Sequence, residues 1–176
     1  MEHGTFMEAL PANRKYKDTI FRWLFSDREN LLSLYNAVTG GDYREADALT
    51  VVTLENAVYL GMKNDVAFLV DTGLYLYEHQ STYNPNIPLR NLFYIASEYQ
   101  LLVKDKSIYS SVLQKIPAPK FLVFYNGMTQ MGDSEELRLS AAYESLRGEP
   151  DLELKVTMLN INAGHNKELM EQCRIL

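Results

Sequence analysis

One cysteine and three histidines in 176 residues exclude more than they allow. The lone Cys173 cannot form an intramolecular disulfide, and one thiol with scattered His3, His79 and His165 carries no zinc signature. There is no glycine-rich loop of the kind that cradles phosphates, so nothing points to a bound nucleotide cofactor. Long apolar runs are also missing. Phe121–Tyr125 is far shorter than the roughly 20 residues of a membrane helix, and Met1–Leu10 lacks the basic start and apolar centre of a signal peptide. These absences favour a cytoplasmic chain with no membrane partner.

An excess of positive charge is absent too. Seventeen basic against 23 acidic residues give −6, which taken as an average argues against nucleic acid. The distribution argues otherwise. Asp133–Glu153 carries seven acids and two bases, whereas Pro88–Lys120 and Asn13–Arg28 each carry five bases and two acids. A phosphate backbone needs a local positive face, although a solvated charged helix face is the more ordinary account of any one such cluster.

The length suits one domain, and 47% hydrophobic residues suffice for a core. Residues 1–12 read as a flexible N-terminus and 13–176 as one domain. The chain stops mid-pattern at Cys173–Leu176, which reads as C-terminal truncation. Apolar spacing predicts a helix over Asp18–Val38, broken at Ser26-Asp27 and ended by Gly40-Gly41. Leu49–Leu54, Val66–Val70 and Leu74–Glu78 read as strands, with Asp71-Thr72-Gly73 as a hairpin turn. Pro88 opens a helix to Leu102, Phe121–Tyr125 reads as a strand buried on both faces, and the acidic stretch after it reads as helical. Leu152–Ile161 then reads as a strand and His165–Leu176 as a helix. The order implies an α/β fold, a mixed sheet with flanking helices.

Chemistry concentrates in Lys63-Asn64-Asp65 and Tyr77-Glu78-His79-Gln80-Ser81. An even-length turn with paired residue numbers adding to 145 sets Asp65 across from Gln80, with Glu78 one diagonal away on the same face. An odd-length turn would substitute His79 and dissolve the cluster. Two adjacent carboxylates suit a hard cation such as Mg²⁺; an ordinary polar strand surface explains the same pattern. Asp71-Thr72-Gly73 mimics an aspartic-protease motif, but turn chemistry accounts for it. Several of the twelve tyrosines could stack on bases, yet aromatic residues at such spacing usually fill a core.

Asp65, twelve intervening residues and Glu78-His79-Gln80 resemble the D-(x)n-E-x-(K/Q) core of the PD-(D/E)XK nuclease superfamily. More specifically, Glu78-His-Gln-Ser81 with Ile87-Pro-Leu-Arg90 and Tyr94 resembles the recombination-promoting nucleases, also called PD-(D/E)XK family transposases. Lys17-Asp18-Thr-Ile-Phe21, Phe124-Tyr-Asn-Gly127, Leu159-Asn-Ile-Asn162 and Gly164-His165-Asn166 are similar to further blocks of that family.

The resemblance implies a restriction-endonuclease-like fold and a DNA endonuclease dependent on Mg²⁺ or another divalent cation such as Mn²⁺, linked to mobile-element recombination. By the same resemblance Asp65, Glu78 and the backbone carbonyl of His79 hold the metal, and Gln80 takes the place of the superfamily lysine. Asp18 is either an outer ligand or a helix cap. Arg90 either contacts phosphate or pairs locally. Cutting both strands would need two active sites, which a homodimer would supply. Asn64-Asp65 replaces the eponymous Pro-Asp, and Gln80 replaces Lys. The latter change, with the acidic average, motivates a rival: a nuclease-derived module that binds DNA or protein without cutting.

Overall fold

The computed structural model describes residues 14–52 and 66–173, with side chains from residue 20 onward. Residues 1–12 and Asp65 lie outside the described residues, as does most of the expected end of the Leu49–Leu54 strand. Helix α1 spans Arg14–Phe25 and α2 spans Arg28–Thr39. The break falls at Ser26-Asp27 because Asp27 is extended and its carboxylate accepts from the Glu29 and Asn30 N–H groups, each at 3.0 Å. Such a cap contributes about 1 kcal/mol and restarts the helix in a new direction. Gly40, at φ 69°, closes α2 in the left-handed conformation that glycine adopts without steric cost.

Three antiparallel strands follow, β1 (Leu49–Val51), β2 (Val66–Val70) and β3 (Gly73–Gln80). Helix α3 (Ile87–Leu102) leads to β4 (Ala118–Tyr125), then β5 (Ser134–Arg138), β6 (Lys155–Asn160) and α4 (Lys167–Gln172). The six strands form one mixed sheet ordered β1-β2-β3-β4-β6-β5, in which β3, β4 and β6 are parallel. Its two faces carry separate cores. Helices α1, α2 and α4 cover Phe68, Tyr77, Phe124 and their neighbours. Helix α3 covers Leu74, Leu76, Val123 and Met158. Among the described residues no helix is long and apolar enough to cross a membrane.

Two expectations need correction. The acidic stretch is not helical at its start: Ser134–Arg138 is an edge strand antiparallel to β6, with Leu137 buried and Glu136 and Arg138 exposed. Alternation over five residues outweighs the helical look of the acidic composition. The hairpin is also tighter than assumed. Val70 opposes Gly73 and Val66 opposes Tyr77, so pairs add to 143 and the turn is Asp71-Thr72. A shift of two residues keeps face parity, so the sides assigned to Glu78, His79 and Gln80 survive. Asp71 itself sits exposed at φ 50°, accepting a bond from the Tyr43 hydroxyl, a turn residue and nothing more.

Candidate functional site

The C-terminal ends of β3, β4 and β6 share one edge of the sheet, tied by Asn126 N–H to the Gln80 carbonyl (3.1 Å) and Ile161 N–H to the Tyr125 carbonyl (2.8 Å). Ligands of α/β sheets bind at such edges. On the α3 face of this edge, Glu78 is 3% exposed. Its Oε1 accepts from Arg90 Nη2 at 2.6 Å and from the Gln80 amide. A carboxylate this buried requires a compensating charge, and Arg90 provides it.

The local sequence explains how Arg90 arrives there. Only six residues, Ser81–Asn86, separate β3 from α3, so the helix begins directly over the strand end. Pro88 lies within its first turn, where the missing N–H is harmless. Arg90 follows two residues later, between buried Ile87 and Asn91 that fix the backbone beneath it. A cation so near a helix N-terminus is disfavoured by the helix dipole, and Glu78 offsets that cost.

His79 points the other way. It is buried on the opposite face and stacks on Phe21, with ring centroids 5.6 Å apart. Its backbone carbonyl lies in the plane of the sheet. Because the Gln80 carbonyl faces β4, strand alternation turns that of His79 toward the β2 side. The structure thus brings Glu78, Gln80 and Arg90 together and separates the His79 side chain from them. Asp65 is outside the described residues, but it immediately precedes Val66, whose partner Tyr77 immediately precedes Glu78. The backbone at residue 18 lies inside α1, so Asp18 does not cap that helix; its side chain is outside the description.

Farther along the edge lies a second polar cluster that the sequence reading missed. His165 Nδ1 and Asp133 Oδ1 are 2.6 Å apart, a contact in which the carboxylate accepts. The Asn166 amide donates to the Asp133 and Asn160 carbonyls, and the Asn162 amide to the Gly127 carbonyl and Asn160 Oδ1. A cavity of about 520 Å³ opens here between Gly127, Met128, Met131, Asn160, Asn162 and His165. Asn160 is two strands from Gln80, on the order of 10 Å at ordinary strand spacing, so His165 is not a partner of Glu78. The signal was present as two asparagine-rich blocks at the ends of predicted strands, but Asp133 stands 32 positions from His165 with no local pattern to join them.

Gly127 knits the two clusters. A Cβ there would stand 2.6 Å from the Ser81 carbonyl oxygen and overlap the Tyr125 hydroxyl, so only glycine lets the β4 turn pack on the residue after Gln80. No protein-family model, curated protein or solved structure matches this chain.

Proposed function

We propose that the chain is a divalent-metal-dependent DNA endonuclease of restriction-endonuclease-like fold, related to the recombination-promoting nucleases. The observation that carries this reading is the placement of Glu78 and Gln80 on one face at the C-terminal edge of the sheet, with Arg90 lodged against them.

The donor set fits a hard cation in kind. Glu78 supplies a carboxylate and His79 a backbone carbonyl, both oxygen donors of the type Mg²⁺ and Mn²⁺ accept. Among the described residues no group of three acidic, histidine or cysteine side chains is gathered; the resemblance supplies Asp65 as the second carboxylate of this reading. A bound ion would acidify a water and offset charge on the phosphodiester in the transition state. The chain's own groups do the rest. Glu78 and Asp65 set the ion's position, Gln80 orients the nucleophile through its amide, and Arg90 binds a phosphate oxygen. A double-strand cut requires two such sites, hence a homodimer.

The test is nicking of supercoiled plasmid with Mg²⁺ or Mn²⁺ against EDTA. The wild type should nick only with metal. Glu78→Ala and Asp65→Ala should each lose roughly a hundredfold or more, the loss expected when several kcal/mol of charge stabilisation are removed. A folded wild type that binds DNA with steep salt dependence and never nicks would establish the binding module instead.

A further inference from the structure

At the end of the sheet opposite Glu78, two connections run into neighbouring strands. Residues 103–117 lead into β4 at Ala118, and residues 139–154 lead from β5 into β6 at Lys155. Strands β4 and β6 are parallel neighbours, with Leu122 opposite Thr157, so the two connections emerge side by side. The first is basic and apolar. It holds Lys104, Lys106 and Lys115 against Asp105, and it shows Ile108, Val112, Tyr109 (96% exposed) and Leu113 (82% exposed) to solvent. Lys106 Nζ donates to the Lys115 carbonyl at 3.3 Å, and the Gln114 amide to the Val112 carbonyl at 3.1 Å, so the loop closes on itself. Apolar side chains gathered at such exposure mark an interaction surface.

The second connection is acidic and apolar. Glu144, Glu149 and Asp151 are exposed against Arg147, with Tyr143, Leu146 and Leu152 exposed among them. The Tyr143 hydroxyl donates to the Leu152 carbonyl at 2.7 Å and holds the loop's shape. Among the described residues no ion pair joins the two connections within one chain. A polyanion or an anionic lipid surface reaching the lysines would meet these acids beside them, which disfavours both. A protein surface with acids to face the lysines and lysines to face the acids fits, and the chain itself carries one. Turned by 180°, a second copy lays its acidic loop on the first copy's basic loop and receives the reverse contact.

We propose that this end of the sheet is a self-complementary interface through which two copies pair about a two-fold axis. Opposed charges set the register, and the exposed apolar side chains supply the burial. Because both loops lie at one end, assembly closes after two copies; complementary patches at opposite ends would build a filament. The Glu78 edge stays open in each copy and points away from its counterpart. This pair is therefore distinct from the one that cutting both strands of one duplex would need, and it does not depend on the metal reading of Glu78.

Sedimentation equilibrium of the full chain tests this. The wild type should be a dimer, and nothing larger, at roughly 50 µM, and added salt should weaken it. Lys104→Glu with Lys106→Glu and Lys115→Glu should weaken the dimer roughly a hundredfold, because acids then face acids. Glu144→Lys with Glu149→Lys and Asp151→Lys should do the same with bases. An equimolar mixture of the two variants should recover the wild-type affinity, since an all-acidic end then meets an all-basic end at both contacts. Tyr109→Ser with Leu113→Ser should weaken pairing roughly tenfold and leave its salt dependence unchanged.

Recovery in the mixture supports the reciprocal contact and shows that both variants fold. A wild type still monomeric at about 1 mM overturns the interface. So does a dimer that both charge variants leave intact, which would place the contact elsewhere. A mixture of variants with native circular dichroism that stays monomeric overturns the two-fold pairing of basic loop on acidic loop.

Discussion

Glu78 and Glu98 are both acids buried next to α3, 3% and 4% exposed, and their neighbours differ. Glu78 faces Arg90 and the Gln80 amide. Glu98 shares the buried stripe of α3 with Asn91, Tyr94 and Ile95, and burial alone pushes its carboxyl from 4.5 up to about 7. Burial is nearly equal, and a guanidinium stands beside Glu78. A buried acid beside an arginine is held as a ligand; a buried acid in apolar surroundings is held as a neutral group that exchanges protons near neutrality.

Removing the cation should have the largest effect. Arg90→Leu removes the guanidinium held at Glu78, and breaking a pair at such a site should cost about 4 kcal/mol, read from urea unfolding. Adding Glu78→Gln should return part of that loss, because the carboxylate that Arg90 serves goes with it. An additive double variant would show that Arg90 acts through packing and not through its pairing.

Next in size is the pH dependence of Glu98. Its folded carboxyl binds a proton more tightly than the unfolded one, so the native state holds more protons between about 4.5 and 7. Stability should therefore fall as pH rises through that window, by about 3 kcal/mol in total, and level off above it. Glu98→Gln should flatten the slope and be the more stable protein at the alkaline end. A slope unchanged in Glu98→Gln would assign it to another group.

The smallest expected effect is that of Gly127→Ala. Forcing a Cβ against the Ser81 carbonyl should cost about 2 kcal/mol by overpacking. Because Ser81 adjoins Gln80, the Glu78 side of the comparison should suffer, with reduced nicking. The Glu98 slope should be unchanged.

Much of this arrangement was legible in the residues. A break at Ser26-Asp27 was visible in the helical spacing, Pro88 announced the start of α3, and period-two alternation placed Glu78 and Gln80 together and His79 apart. The register of the hairpin was not legible, because Asp71-Thr72-Gly73 allows more than one turn length and apolar residues flank it on both sides. Nor was the choice between the two roles left open for Arg90. Its spacing of twelve from Glu78 says nothing until a short loop folds the helix over the strand. Composition misled at Ser134–Arg138, where pairing to β6 supplied the hydrogen bonds that decided the structure.

Strand β5 carries Glu135, Glu136 and Arg138 along one outer edge of the sheet. Charges in that position discourage another strand from zipping onto the open backbone, the usual route to runaway polymers. One copy of the chain is thereby steered away from joining another sheet to sheet through β5.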